Sequence, residues 1–134
     1  MTRIMIDTNI FISAILFPNG RVAFALQKAL LPPYQAVTCD YVVNELRRKF
    51  SEKFPDRVND LDEFLLAAFS IIEVVRTPNI ADATEKLVRD DKDRPILRAA
   101  LDAGADYLIT GDKDFLESAV NNPKIISVAD FLEM

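Results

Sequence analysis

Short apolar runs alternate with stretches whose apolar residues recur every three or four positions, and the alternation continues from one end of the chain to the other. Residues 3–6 form an apolar run that stops abruptly at Asp7, which predicts a buried strand. Residues 9–17, with Ile10, Ile12, Ile15 and Leu16, predict a helix ending before Pro18. A second helix is expected over 21–30, with Val22, Ala25, Leu26 and Ala29 on one face, and Pro32-Pro33 stops it. Tyr34–Cys39 reads as the second strand. Asp40 is placed to cap a helix running to about Lys53, whose stripe is Val42, Val43, Leu46 and Phe50. Pro55 opens a further helix with Leu61, Phe64, Leu65 and Ala68 inward.

The third strand is predicted over 71–75 and a helix over 80–88, followed by an acidic run at 89–94. A helix from about Pro95 carries Ile96, Leu97, Ala100 and Leu101 until Gly104 ends it. A fourth strand over 106–110, a turn at 111–114, a short helix, a fifth strand over 124–127 and a last helical turn at 129–132 complete the series. Alternating strands and helices imply an α/β fold: a mostly parallel sheet of about five strands between two helical layers. No internal repeat and no linker divides the chain, so one domain is expected over 1–134. In such sheets ligands gather beyond the carboxyl ends of the strands, where the strand order reverses.

Composition narrows the chemistry. With 134 residues, half of them hydrophobic, and a mean hydropathy of +0.09, the chain can bury a core without disulfide or metal staples. It contains no histidine, which removes Ser–His catalysis and His-ligated zinc. Three scattered glycines cannot form a Walker loop or a GxGxxG turn. The single cysteine, Cys39, excludes internal disulfides and is expected to be a small core residue near a strand end. The net charge of −5 argues against a general nucleic-acid coat protein, though not against an enzyme whose acids surround a metal. No apolar run is long enough for a membrane span, and an acid at position 7 interrupts any signal-like stretch, so a cytoplasmic location is expected.

Two acids fall at predicted carboxyl strand ends, Asp7 and Asp112, and two on or beside helices packed nearby, Glu45 and Asp93. Taken singly, each reads equally as a turn, cap or surface acid. Together they would repel one another unless they held divalent cations. Mg2+ and Mn2+ accept such oxygen ligands. Two such ions about 4 Å apart can activate water and stabilise a leaving oxygen in phosphodiester hydrolysis.

Three blocks, IMIDTNIFISAIL, VVNELRRKF and DRPILRAALDAGADYLITGDKDFL, resemble the PIN-domain family in order and spacing, most closely the small prokaryotic members related to VapC-type toxins. The resemblance runs from Arg3 to about Phe131. It implies a three-layer α/β/α PIN-like fold and an Mg2+- or Mn2+-dependent endoribonuclease, the toxin component of a toxin–antitoxin system. On that resemblance Asp7, Glu45, Asp93 and Asp112 are the catalytic and metal-binding acids, with Asn9 and Thr110 as polar support. Asp90, Asp91 and Asp114 lie close enough to compete for the same roles. An RNA substrate, a cognate antitoxin that inserts an Arg or Lys into the acidic pocket, and a homodimer are the expected partners, with no membrane.

The basic run Arg47-Arg48-Lys49 with Lys53, together with Lys92, Arg94 and Lys113, is open to two readings. It is either a solvated face or a set of phosphate holders, Arg47, Arg48 and Lys113 above all. Three other functions remain in view. A haloacid-dehalogenase-like phosphatase would want an acid where Asn9 stands. A phosphoacceptor receiver would want an acidic pair where Arg3 precedes the first strand. A PIN fold kept as a non-catalytic nucleic-acid-binding scaffold would have no need of four intact acids.

Overall fold

The computed structural model describes residues 1–134. Five strands, β1 (Thr2–Ile6), β2 (Tyr34–Cys39), β3 (Glu73–Val75), β4 (Tyr107–Ile109) and β5 (Lys124–Ile126), form one sheet in the order β3-β2-β1-β4-β5, every pair parallel. Seven α-helices connect them: α1 (Thr8–Leu16), α2 (Arg21–Ala29), α3 (Asp40–Lys53), α4 (Val58–Ala68), α5 (Arg94–Asp102), α6 (Lys113–Leu116) and α7 (Val128–Leu132). The central strands are buried on consecutive residues: Ile4, Met5 and Ile6 on β1, and Ala36 through Cys39 on β2. Since neighbours on a strand face opposite sides, both faces of the sheet are covered, and the expected three-layer α/β/α arrangement holds.

The strand order reverses between β1 and β4, whose register pairs Ile4 with Tyr107 and Ile6 with Ile109. The ladder extends one step further, where the Asp7 N–H donates to the Ile109 carbonyl at 3.1 Å. Asp7 and Thr110 therefore leave the sheet side by side at its switch point. Cys39 ends β2 fully buried, as its apolar surroundings require. Gly104 closes α5 with φ of 66°, and the Ala105 N–H donates to the Ala100 carbonyl, a Schellman-type stop that a side chain would strain.

Departures from the expected elements have local causes. The helix predicted over 80–88 is a single 3-10 turn, Ala83–Leu87. Asp82 caps that turn with Glu85 in a reciprocal box, and the buried residue is Glu85 rather than an apolar one, while Ile80 and Leu87 face solvent. The third strand begins two residues late, because the Ile71 and Ile72 N–H groups still bond the Ala68 carbonyl at the end of α4. Pro55–Arg57 is a 3-10 turn leading into α4. In α2 the buried face includes Ala23, with Val22 only half-buried, and in α3 Val43 is half-buried at the edge of the stripe. Asp40 lies inside the first turn of α3, with Cys39 at the cap position. Its carboxylate accepts from the Tyr41 N–H and from the backbone and hydroxyl of Thr77, which ties the segment leaving β3 to the start of α3. No single helix is long and apolar enough to cross a membrane.

Candidate active site

Asp7 has two structural duties at once. As the N-cap of α1 it accepts the Thr8 N–H at 2.8 Å on one oxygen, and the Thr110 hydroxyl donates to the other at 2.7 Å. With only 2% of its surface exposed, it is the most enclosed acid of the chain. Burial pushes its carboxyl up to about 6; the two hydrogen bonds oppose the rise, and the charges of Glu45 and Asp112 add to it. Thr110 also accepts the Asp112 N–H at 3.0 Å, so a single hydroxyl links the first acid to the loop of the last. Asp112 caps α6 through the Asp114 N–H.

Asp93 stands at the N-terminus of α5 without making the cap bond its position invites. One of its oxygens is buried with no hydrogen-bond partner. Its carboxyl is driven up to about 8, first by burial, then by the adjoining Asp112 carboxyl and by the charges of Asp7, Asp112 and Asp90. Asp90, Asp93 and Asp112 bring one carboxylate oxygen each within 4.8 Å of one another. This set can hold a cation. Every donor is a hard oxygen, the chain offers no imidazole, and its only thiol is buried in the core, so Mg2+ or Mn2+ fits better than a soft metal.

Glu45 lies in the second turn of α3 with its side chain 12% exposed and 3.9 Å from the Arg48 guanidinium. Its charge is felt at Asp7 and at the Tyr41 hydroxyl. Two of the three acids that competed in the sequence are separated from the cluster in different ways. Asp91 is exposed, and Asp114 is paired with Arg89 at 2.9 Å. Asp90 belongs to the cluster; its signal in the sequence is its spacing of three from Asp93 in a turn closed by the Asp93 N–H on the Asp90 carbonyl. Of the two polar supports, Thr110 contacts Asp7, whereas the Asn9 side chain is exposed on α1 and lines an adjoining cavity.

Two contacts that carry no sequence signal hold the acidic turn in place. The Tyr41 hydroxyl, one helical turn before Glu45, donates at 2.7 Å to the carbonyl of Lys92, which lies between Asp90 and Asp93. Arg98 on α5 grips Glu85 with two bonds of 2.9 Å and also donates to the Pro78 carbonyl, fixing the approach to that turn. Each raises the order of the site without touching its carboxylates. Arg47, Arg48 and Lys113 are exposed. Arg47 lies 3.5 Å from Asp62, and Arg48 also reaches Glu52 at 3.7 Å, contacts that solvent and salt weaken.

A family model described as PIN domain matches residues 3–114. An uncharacterized protein of Methanocaldococcus jannaschii is 31% identical over 117 residues, covering 85% of this chain and 73% of that protein. Among solved structures, VapBC2 from Rickettsia felis bound to a DNA fragment from its promoter superposes with a TM-score of 0.70 at 20% identity, over 94% of this chain and 98% of that one. DNA-bound VapBC from Salmonella typhimurium gives 0.69 at 17% over 96% and 99%, and FitAcB from Neisseria gonorrhoeae 0.68 at 21% over 94% and 98%. At these identities the structural likenesses bear on the fold.

Proposed function

The chain belongs to the PIN-domain family, and from that premise we propose that it is a divalent-metal-dependent endoribonuclease, the toxin half of a toxin–antitoxin pair. The observation that carries this reading is the buried, unpartnered oxygen of Asp93 beside Asp90 and Asp112, with the charge of Asp7 acting on it. Half-buried carboxylates that crowd one another without cationic partners are costly to a fold, and their retention points to a ligand of opposite charge.

Asp7, Asp93 and Asp112 are the proposed ligands, with Glu45 ligating a second ion or orienting the water, and Asp90 within reach of the same position. Mg2+ or Mn2+ bound there supplies a water of lowered pKa and neutralises charge on the scissile phosphate. The protein contributes positioning. Thr110 and the Thr8 N–H fix both oxygens of Asp7, Thr110 couples that acid to the Asp112 loop, and Tyr41 holds the Asp90–Asp93 turn against α3. Lys113, together with Arg47 and Arg48, whose exposed ion pairs with Asp62 and Glu52 are weak, is the proposed holder of neighbouring phosphates.

The resemblance to VapC-type toxins supports a partner chain that places an Arg or Lys among the acids, a homodimer and a cytoplasmic location. The exposed Phe17 and Phe24 around α1 and α2 offer apolar surface for such pairing. The deciding experiment is cleavage of an RNA panel by the purified chain in Mn2+, in Mg2+ and in EDTA. Cleavage with metal and none in EDTA is expected; undiminished cleavage in EDTA overturns the proposal.

A further inference from the structure

Beside the acids, between α1, α2, α6 and α7, the structure has a cavity of about 460 Å3. Thr110 and Gly111, which connect β4 to Asp112, form one wall, so the cavity lies against the loop that carries the last acid. Its apolar lining comes from Ile10, Val22, Leu116 and Val128, and none of the ten residues around it is ionisable. In a protein that is 28% charged, an uncharged cavity adjoining a cluster of carboxylates divides the locality into two chemistries.

Of its polar groups, the Thr110 hydroxyl donates to Asp7 and the Ser127 hydroxyl accepts the Asp130 N–H, which leaves Asn9 and Ser13. They are four residues apart on α1 and therefore share a face, and both line the cavity. Neither side chain is committed to a hydrogen bond within the chain. An amide offers both donor and acceptor, and a hydroxyl offers either. Apolar walls with a few convergent, unpaired polar groups are the features of a site for a flat, neutral ligand with a hydrogen-bonding edge. A nucleobase has that chemistry, and a phosphate, a carboxylate or a cationic side chain does not.

Resting on the nuclease reading above, we propose that this cavity is a nucleobase subsite. It takes the base next to the scissile phosphate of single-stranded RNA, and Asn9 and Ser13 read the edge of that base. Asp7 and Asn9 are two residues apart, and Thr110 both donates to Asp7 and lines the cavity, so base subsite and acids are neighbours on the same surface. The subsite gives the enzyme a base preference at one position, while the acids act on a phosphodiester that is the same at every position.

The test compares two substrates in Mn2+. One is a set of short RNA oligonucleotides that differ in a single base beside one cleavage step; the other is bis(p-nitrophenyl) phosphate, which carries no base. The parent should prefer one base by about tenfold or more, the scale on which a site with unpaired polar groups rejects a poor partner. Ser13→Leu, which fills the cavity, should reduce that preference to within about twofold and leave base-free hydrolysis unchanged. Ser13→Ala, which removes only the hydroxyl, should reduce it part of the way, and Ala129→Leu narrows the cavity from the opposite wall should Ser13→Leu fail to fold. Retention of the parental preference in these variants overturns the proposal, as does a parent with no base preference. An equal loss on the base-free diester also overturns it, because the effect would then lie in the acids. Variants that keep the base preference but no longer bind a partner chain would assign the cavity to protein docking instead. A parent that hydrolyses neither substrate in Mn2+ refutes the nuclease reading itself, a different result from any of these.

Discussion

At its amino end β1 presents Arg3, and the polar groups around it answer one another. The guanidinium pairs with Glu73 across the sheet and donates to the Ala103 carbonyl, and the Arg3 N–H donates to Asp106 at 2.8 Å. Their shared hydrogen bonds raise the Arg3 pKa and lower that of Glu73, so each stabilises the other's charge. Four residues along the same strand, Asp7 and Asp93 are both pushed the other way, and Asp93 retains an orphaned oxygen. The amino end of the sheet is arranged as folding alone would arrange it. The carboxyl end is not, and that local conflict marks the part of the molecule kept for a ligand.

The largest expected effect breaks the carboxyl end. Asp7→Asn keeps the cap and the size of the side chain but removes a charge, and RNA cleavage in Mn2+ should fall about 100-fold or more. An unchanged rate would show that Asp7 lies outside the chemistry.

The next sharpens the contrast through stability. A carboxyl that holds its proton more tightly when folded stabilises the fold at low pH. That contribution is complete below the ordinary value near 3.8 and is lost as pH climbs through about 6 for Asp7 and about 8 for Asp93. Thermal melts in EDTA should therefore fall between mildly acidic and slightly alkaline pH, and Asp93→Asn should flatten the slope and melt above the parent at pH 8. Free Mn2+ at about 100 times its dissociation constant should restore about 2.7 kcal/mol to the parent. If Asp93→Asn melts no higher than the parent in EDTA and both respond equally to Mn2+, the acids do not act as one site.

Tyr41→Phe comes third. Loss of the bond to Lys92 frees the acidic turn, and Mn2+ affinity measured by titration calorimetry should weaken about tenfold with the fold intact. Equal affinities would make that bond a purely local contact. Smallest is Arg3→Ala at the satisfied end, which should cost about 1 kcal/mol in a denaturant melt. Cleavage should be unaffected, so a large loss of activity there would erase the distinction between the two ends.

These two ends were not equally legible in the sequence. Asp7 and Asp112 could be placed at strand ends because an apolar run that stops at an acid is a local pattern. The strands and most helices could be read for the same reason, each stripe or run being decided within a dozen residues. Residues 80–88 misled because Glu85 is buried by a partner thirteen positions away, Arg98, and no local periodicity encodes a long-range ion pair. Asp90 stood in the sequence as one acid of several, and only the turn that folds it back beside Asp93 separates it from exposed Asp91. The Arg3–Glu73 pair and the Tyr41–Lys92 bond join residues 70 and 51 positions apart, and pattern alone offers no means of matching them.

The double employment of Asp7, as helix cap and as acid, bears on how such a protein could drift. Asparagine is as good a cap as aspartate, so a single nucleotide change from an aspartate codon to an asparagine codon leaves α1 anchored and relieves the crowding of charge. The first step away from catalysis would not unfold the protein but would leave it better folded, with its cavity, its basic face and any partner-binding surface intact. A lineage carrying that change would keep a ready-made inhibitor of its own active relatives, one able to compete for the same strand and the same partner while cutting nothing.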